Sequence, residues 1–395
     1  MTSKDLIQSH DQYVMGTYGR YPIALSHGTG ATLYDFDGKA YTDFASGIGV
    51  VSIGYGNPTW AKAVADQAGR LAHVSNLYYT EPAAKAAELL CTRTGLAKAF
   101  FSNSGAESNE GLIKLARKYS HDTYGPGRST IITLQDSFHG RTVTTLAATG
   151  QDVFHQHFYP FTEGFVHVPA GDLDALKAAC GDDVCAVLLE LIQGEGGVRP
   201  LEPDYIQAVA AFCKERDILL LLDEVQTGIG RTGSLFAFEQ YGLTPDALSF
   251  AKGIASGLPL GGFLVSERLS GVLGPGTHAT TFGGNPIGTA GAAVVLETLT
   301  DAFLQEVKEK GQYIHEQILA MNSPHVTDVR GLGLMVGVVL QDMSHRELVA
   351  KLGEMGLLAL VAGTSTLRLL PPLTITYKEI DAGLAILRSA LCPGT

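Results

Sequence analysis

The feature that most constrains the fold is an alternation of short apolar segments with helical patterns of ten or more residues, beginning near residue 60. We predict strands at residues 99–102, 130–134, 186–190, 218–222 and 247–250, and helices at 60–71, 83–93, 107–119 and 203–216. Strands separated by helices of this length are joined by crossovers. The pattern therefore predicts an α/β fold with a mainly parallel sheet covered by helices on both faces.

The pattern changes beyond residue 286. One long helical stretch at 288–321 is followed by predicted strands and helices at 326–330, 335–340, 345–355, 366–370 and 378–391. We predict a large domain at 51–295, a smaller α+β domain at 296–395, and an N-terminal segment at 1–50 that is part of the small domain. No linker or repeat separates these parts, so we expect a site at their junction.

Charge and composition exclude several classes of function. The chain has 28 Lys and Arg against 40 Asp and Glu, a formal net charge of −12, which disfavours nucleic acid and anionic membrane surfaces. The longest apolar runs, such as 184–189, are about a third of the ~20 residues of a membrane span. The first 13 residues have no apolar signal core, and the five cysteines form no CxxC pair. We therefore expect a cytoplasmic protein without nucleic-acid or membrane partners.

Two motifs are misleading. Residues 228–233 match G-x-G-x-x-G, but Asp223 and Glu224 precede them, and two carboxylates would repel the pyrophosphate of a dinucleotide. A nicotinamide oxidoreductase is therefore the weaker alternative, as is a catalytically silent homologue. His155 and His157 alternate without a clear third ligand, so we expect no metal site.

Three features at predicted strand ends indicate one cofactor. Residues 104–106 open a helix, whose free N–H groups and positive dipole end suit a phosphate. Lys252 lies among glycines, where desolvation lowers the pKa of an amine and favours imine formation with an aldehyde. Asp223 could hold a pyridine nitrogen protonated. Each feature alone has a structural explanation, such as a helix cap or a surface lysine, but together they predict pyridoxal phosphate.

The sequence also resembles the class III pyridoxal-phosphate aminotransferases, most of all their acetylornithine and ornithine branch. The resemblance rests on several motifs and on their order along the chain. The motifs lie at residues 101–107, 137–142, 190–195, 222–233, 250–253, 281–286 and 368–372. The resemblance covers almost the whole chain. It implies fold type I, with a large pyridoxal-phosphate-binding domain, and a homodimer whose subunits share each active site.

The resemblance assigns the cofactor ring to five residues. Lys252 is expected to form the imine with the cofactor and then to move the proton, and Asp223 to pair with the pyridinium. Gln226 is expected to donate a hydrogen bond to the phenolic oxygen. Val225 and Phe138 are expected to cover the two faces of the ring.

The cofactor's phosphate has its own expected contacts. The resemblance implies that Ser104, Gly105 and Ala106 bind it at the start of their helix. Thr281 is expected to reach the same phosphate from the other subunit, which would make dimerisation part of the active site.

Substrate recognition is expected to depend on arginines, whose planar guanidinium binds a carboxylate through two parallel bonds. The resemblance implies transfer of the terminal amino group of N2-acetylornithine to 2-oxoglutarate, giving N-acetylglutamate 5-semialdehyde and glutamate, in arginine biosynthesis. Arg141 is expected to hold the acetylornithine carboxylate, near Thr280 of the partner. Arg368 is expected to hold the α-carboxylate of glutamate or 2-oxoglutarate, and Glu195 to pair with Arg368 when no such carboxylate is present.

Some residues depart from the family pattern. Thr280 stands where serine is usual, Ser108 replaces alanine, and residues 56–58 replace a histidine-containing turn. Tyr18 falls near a position that helps to bind free ornithine in the related branch. Ornithine, 4-aminobutyrate and succinyl-diaminopimelate therefore stay open as alternative substrates.

Overall fold

The computed structural model describes residues 2–392, so the extreme ends of the predicted segments 1–50 and 296–395 lie outside the described residues. The α-helices in this range are α1 Ser3–Tyr13, α2 Ser46–Gly49, α3 Pro58–Arg70, α4 Glu81–Thr94, α5 Gly105–Tyr124, α6 Val143–Ala148, α7 Leu173–Ala179, α8 Pro203–Arg216, α9 Pro286–Thr298, α10 Asp301–Leu319, α11 His345–Met355 and α12 Tyr377–Leu391. The strands are β1 Leu25–Thr29, β2 Thr32–Asp35, β3 Ala40–Asp43, β4 Lys98–Ser102, β5 Thr130–Leu134, β6 Phe165–Val168, β7 Val184–Leu189, β8 Ile192–Gln193, β9 Arg199–Pro200, β10 Leu219–Asp223, β11 Ala247–Phe250, β12 Gly261–Val265, β13 Val326–Leu332, β14 Met335–Leu340, β15 Leu357–Leu358, β16 Leu360–Ala362 and β17 Thr366–Leu369.

A seven-stranded sheet forms the centre of the fold, in the order β4-β12-β11-β10-β7-β5-β6. The pairs along β11, β10, β7, β5 and β6 are parallel, and β12 is antiparallel to both of its neighbours. Strand β10 consists of four leucines and Asp223, all buried. Leu219 and Leu221 pack into the core cluster that contains residues of α5, whereas Leu220 and Leu222 pack into the one that contains residues of α8. The predicted mainly parallel α/β sheet, covered on both faces, is confirmed.

A second, antiparallel sheet in the order β13-β14-β17-β16 lies in the C-terminal part of the chain. The N-terminal strands β1, β2 and β3 form another sheet, which is completed by β15 through the pairs Leu357–Thr42 and Leu358–Asp43. This pairing supports the idea that residues 1–50 accompany the C-terminal part. The limits of the three predicted segments stay a prediction.

The structure corrects two details of the sequence analysis. The stretch 288–321 is not one helix: α9 and α10 are bent by 76° at their junction, where the Thr300 side chain accepts a hydrogen bond from the N–H of Phe303 and caps α10. The glycine-rich segment after Lys252 contains strand β12, which was not predicted. Gly262 of this strand lies so close to the Phe250 ring that a Cβ there would be 2.6 Å from it, so the sheet requires glycine at this position. Because glycine is not typical of strands, the strand was not recognised from the sequence.

Among the helices described, none by itself has the length and apolar character needed to cross a membrane; α9 and α10 pass that test only as a bent pair.

Candidate active site

The carboxyl ends of neighbouring parallel strands bring the chemically active side chains together. Asp223 is the last residue of β10, Glu190 follows β7, and Lys252 lies two residues beyond β11. All three line one cavity of about 430 Å³, a size that suits a small-molecule ligand. The other residues of its wall are Val50, Asn103, Ser104, Gly105, Ala106, Asn109, Phe138, His139, Gly140, Arg141, Val225, Gln226, Ala251, Gly257, Leu258, Pro259 and Leu260.

Asp223 is fixed by a network of hydrogen bonds. Its Oδ2 accepts from Nδ2 of Asn109 at 2.7 Å and lies 2.8 Å from Nδ1 of His139, and its Oδ1 accepts from the N–H of Val225 at 3.1 Å. The carboxylate is 4% exposed. Asn109 and His139 were not identified from the sequence as site residues. His139 nevertheless lies within the motif at 137–142, and Asn109 lies two residues after the motif at 101–107. Only their meeting with Asp223, across 114 and 84 residues, reveals their role in holding it.

Lys252 is half-buried and has a backbone φ of 44°, a left-handed conformation that costs energy for a residue with a Cβ. Burial lowers the pKa of its amine, against the opposing charge of Glu195, which raises it. A lowered pKa increases the fraction of neutral amine at neutral pH. Because only the neutral amine has a free electron pair, this environment favours nucleophilic attack on a carbonyl carbon.

The start of α5 forms one wall of the cavity. The Ser104 side chain caps the helix by accepting a hydrogen bond from the N–H of Glu107 at 3.2 Å. A Cβ at Gly105 would lie 2.6 Å from Cγ1 of Val225, so only glycine lets the helix begin this close to it. The hydroxyl of Ser108, the residue that replaces alanine, is buried 2.8 Å from the Ser104 carbonyl oxygen and holds the first turn from within.

A second charged group lies beside Gln226. Nη1 of Arg368 donates to Oε1 of Glu195 at 2.6 Å and to Oε1 of Gln226 at 3.0 Å. Burial alone would raise the pKa of Glu195, but the charge and hydrogen bond of Arg368 outweigh it, and the pKa lies below its ordinary value. Within residues 2–392, Nε of the buried Arg368 has no hydrogen-bond partner. One N–H donor of the guanidinium is therefore left without a partner in the chain.

Arg141 is the exposed cation of the cavity wall. Its guanidinium carbon lies 4.0 Å from the ring centroid of Phe154 and 5.7 Å from that of Phe138. Cation–π contacts of this kind hold the flat guanidinium in place without using its N–H donors. Arg141 and Arg368 thus provide two separate positions at which a carboxylate could bind.

Four predicted residues are not part of the cavity wall within one chain: Glu195 and Arg368, which lie beside Gln226, and the two threonines Thr280 and Thr281. Thr281 is exposed, and the hydroxyl of Thr280 accepts a hydrogen bond from Nδ2 of Asn103, a residue of the cavity wall, at 3.1 Å. Their loop is tied to a neighbouring one, since Nδ2 of Asn76 donates to the Gly283 carbonyl oxygen at 2.9 Å. Thr281 therefore lies next to the cavity wall but faces outwards from this chain, whereas the Thr280 hydroxyl faces the Asn103 side chain.

The remaining candidates lie elsewhere. In the loop 228–233, the buried Arg231 donates to the carbonyl oxygens of Leu334 and Pro371, so this glycine-rich loop joins the C-terminal part and is no part of the cavity wall. Tyr18 is 74% exposed. Nε2 of His155 lies 2.8 Å from the Leu146 carbonyl oxygen.

The donor set fits pyridoxal phosphate. The start of α5 presents free N–H groups to a phosphate, Asp223 offers a buried carboxylate to a ring nitrogen, and the Lys252 amine can attack an aldehyde. Within the described chain, two buried polar atoms of the Asp223 network, Nε2 of His139 and Oδ1 of Asn109, have no hydrogen-bond partner. Buried polar atoms that lack a hydrogen-bond partner beside the cavity are consistent with a polar ligand.

Comparison with known proteins agrees with this geometry. Residues 13–391 match the family described as aminotransferase class III. The chain is 50% identical over 393 residues to the acetylornithine aminotransferase of Haemophilus ducreyi, covering 99% of each, and 47% identical over 391 residues to that of Caldanaerobacter subterraneus, covering 98% of this chain and 99% of the relative.

Solved structures lead to the same family. The N-acetylornithine aminotransferase of Stenotrophomonas maltophilia superposes with a TM-score of 0.84 at 34% identity, covering 97% of both chains. An ornithine aminotransferase of Toxoplasma gondii, described with partial occupancy of pyridoxal phosphate, gives a TM-score of 0.95 at 30% identity over 99% of this chain and 94% of its own. The chain therefore belongs to the class III aminotransferases, enzymes of fold type I that depend on pyridoxal phosphate.

Proposed function

We propose that this enzyme transfers the terminal amino group of N2-acetyl-L-ornithine to 2-oxoglutarate, giving N-acetylglutamate 5-semialdehyde and glutamate, as a step of arginine biosynthesis. The observation that carries the proposal is the ion pair of Glu195 with Arg368 beside the Lys252 cavity. The curated relatives support it, since eight that match over nearly the full length, at 42–50% identity, are all acetylornithine aminotransferases.

The chemistry divides between the cofactor and three side chains. When bound, pyridoxal phosphate would supply two things: an aldehyde carbon at which oxygen is exchanged for the amino group, and a protonated ring that takes up electrons. The Lys252 amine binds the cofactor and then carries the proton that leaves the substrate carbon. Asp223 keeps the ring nitrogen protonated, because a buried carboxylate next to that nitrogen favours the charged form. Gln226 donates to the phenolic oxygen.

The rest of the wall orients the cofactor. Val225 and Phe138 are proposed to cover the two faces of the ring, and Ser104, Gly105 and Ala106 to bind the phosphate at the start of α5. Apolar faces on both sides of the ring exclude water while the proton moves.

The two arginines explain how one cavity serves two substrates. Arg141 is proposed to bind the carboxylate of acetylornithine, whose reacting amine lies at the far end of the molecule, with Thr280 of the partner nearby. While this substrate is bound, Glu195 neutralises Arg368. When glutamate or 2-oxoglutarate enters, its α-carboxylate takes the place of Glu195 on Arg368, so the guanidinium is never buried unpaired.

A homodimer with shared sites completes the proposal. An exposed apolar patch lies on two linked loops: Leu77, Tyr78 and Tyr79 follow Asn76, whose side chain donates to the carbonyl oxygens of Thr280 and Gly283, and Phe282 follows the exposed Thr281. Contiguous exposed apolar residues are typical of protein interfaces. A second copy of the chain placed on this patch would bring Thr281 to the partner's phosphate site.

We also propose a cytoplasmic location. Cys180, Cys185 and Cys213 are buried thiols without a disulfide, and burial raises the pKa of each. Buried, protonated thiols fit a reducing compartment.

A panel of amino donors tests the proposed reaction. With 2-oxoglutarate as acceptor, kcat/KM is measured for N2-acetylornithine, ornithine, 4-aminobutyrate and N-succinyl-diaminopimelate, with Lys252→Ala as the inactive control. We expect acetylornithine to exceed ornithine and 4-aminobutyrate by at least about tenfold, since ornithine carries a free α-ammonium group that Arg141 would repel and 4-aminobutyrate is one carbon shorter between its amine and its carboxylate. A larger kcat/KM for either of these two would contradict the proposal.

A further inference from the structure

Two buried carboxylates of the large sheet have closely similar environments. Glu190 and Glu224 each follow the last residue of a strand, and burial raises the pKa of each to about 7. Each accepts hydrogen bonds from two backbone N–H groups. They differ in location, because only Glu190 lines the cavity.

The two oxygens of Glu190 hold two different loops. Oε2 accepts from the N–H of Phe138 at 3.0 Å, and Oε1 accepts from the N–H of Gly194 at 3.2 Å. Phe138 is proposed to cover the cofactor ring, and Gly194 directly precedes Glu195. One carboxylate therefore connects the ring-covering loop with the loop that carries the partner of Arg368.

The Gly194 backbone, held by Glu190, in turn restricts the position of the Gln226 side chain. A Cβ at position 194 would lie 2.6 Å from Oε1 of Gln226, so the Gly194 backbone packs directly against the Gln226 amide. That same Oε1 accepts from Arg368, which is paired with Glu195. A displacement of Gly194 would thus disturb both the cofactor-facing amide and the ion pair.

We propose that Glu190 is a positioning residue, which holds Phe138 over the cofactor ring and keeps the Gly194 backbone, with Glu195 and Gln226, in place for Arg368. The inference rests on the proposed location of the cofactor. The role requires a carboxylate, because two separate N–H groups need two acceptor oxygens. A glutamine has one acceptor oxygen, and its NH₂ group would face the second N–H and repel it.

The test compares Glu190→Gln with the matched control Glu224→Gln, whose carboxylate accepts from Ala237 and Phe238 away from the cavity. The dissociation constant of pyridoxal phosphate is measured by absorbance titration of the cofactor-free protein. KM for 2-oxoglutarate and kcat are measured on the holoenzyme. These measurements are made at pH 8, above the raised pKa of Glu190, where loss of a hydrogen bond to its charged carboxylate corresponds to about a tenfold change or more. We expect Glu190→Gln to raise both the dissociation constant and KM by about that factor, and Glu224→Gln to change neither by more than about twofold.

Equal effects of the two substitutions would overturn the inference, since they would show a structural role only. If Glu190→Gln does not fold, Gly194→Ala tests the same connection through the Gln226 amide. An unchanged KM for 2-oxoglutarate in that variant would then overturn it. Failure of the proposed function is distinguishable, because it would appear in the wild-type protein as a low kcat/KM for acetylornithine in the panel of amino donors, whatever the two substitutions do.

Discussion

Arg368 and Glu195 are 173 residues apart in the chain and form an ion pair with 2.6 Å between Nη1 and Oε1. Arg368 lies on β17 of the C-terminal antiparallel sheet and is 2% exposed, whereas Glu195 lies in the loop after the short strand β8. The pair therefore joins this sheet to a loop beside the cavity. Because a buried charge without a counterion is costly, the buried Arg368 depends on Glu195 when no substrate carboxylate is present.

Replacement of Glu195 by alanine should separate the two half-reactions. Without the carboxylate, Arg368 stays uncompensated while acetylornithine is bound, but it can still pair with glutamate or 2-oxoglutarate. We expect the acetylornithine half-reaction to slow by about tenfold more than the glutamate half-reaction, a difference of about 1.4 kcal/mol. Single-turnover absorbance measurements with each amino donor check this. Glu306→Ala, which breaks the distant pair with Lys310, is the control, and equal losses in both half-reactions would refute the switch.

Replacement of Lys252 by alanine should abolish turnover. Removal of a group that moves the proton in the rate-determining chemistry costs about 10²–10⁴-fold in rate. The visible band near ~420 nm that the holoenzyme owes to its lysine–cofactor bond should also disappear. Absorbance spectra and kcat are compared with those of Lys310→Ala, which removes a buried lysine outside the cavity wall. A variant at position 252 that keeps the band would show that a different amine binds the cofactor.

Glu224 should make stability depend on pH in a defined direction. Burial raises the pKa of its carboxyl from an ordinary value of 4.5 to about 7, so the folded state binds a proton between these values while the unfolded state does not. The contribution of Glu224 to the free energy of unfolding is therefore largest at low pH and falls as pH rises towards 7, by up to about 1.4 kcal/mol per pH unit.

Urea unfolding of the cofactor-free wild type and of Glu224→Gln at several pH values between 5 and 8 measures this contribution. The wild-type free energy of unfolding minus that of the variant should decrease with rising pH and become constant above pH 7. A difference that stays constant across the whole range would show that Glu224 is ionised throughout.

Mixed dimers should reveal whether the sites are shared. If Thr281 binds the partner's phosphate, a dimer of one Lys252→Ala subunit with one Thr281→Val subunit contains one site with both wild-type groups. Random mixing gives half mixed dimers, so activity at limiting cofactor should recover to about a quarter of the wild-type value. Light scattering verifies the dimer mass. If each chain used only its own Thr281, mixing would restore no site, and activity would stay at the average of the two parents.

Much of the fold could be predicted because apolar runs and helix periodicity are local signals. The predicted elements at 130–134, 203–216, 247–250, 335–340 and 345–355 have the observed bounds. Strand β12 could not be predicted from such signals, because its glycines serve close packing, Gly261 against Ser104 and Gly262 against Phe250, rather than strand propensity. The break between α9 and α10 was missed since the apolar pattern continues across it, and only Thr300 provides a local capping signal.

For the site, the sequence pointed to residues at strand ends but not to the side chains that support them. Asp223 and Lys252 were predicted because each follows an apolar strand. Asn109, His139 and Glu190 were missed because their significance lies in contacts with distant residues, which no local pattern encodes. Polar residues of this kind, buried next to a predicted site, are recognisable only when the fold brings their partners together.

Helix α5 has a mechanical consequence for the bound cofactor. Ser104 caps its first turn, and Asn109, five residues further along, donates to Asp223. The two anchors are roughly 7.5 Å apart along one rod of hydrogen-bonded backbone. Because a helix is stiff along its axis, the distance between these two anchors is fixed. The proposed sites for the phosphate and for the ring nitrogen of the cofactor would therefore move as one unit in any motion of the large sheet. Adjustment to substrates of different length must then come from the other side of the cavity, where Arg368 and Glu195 form their ion pair.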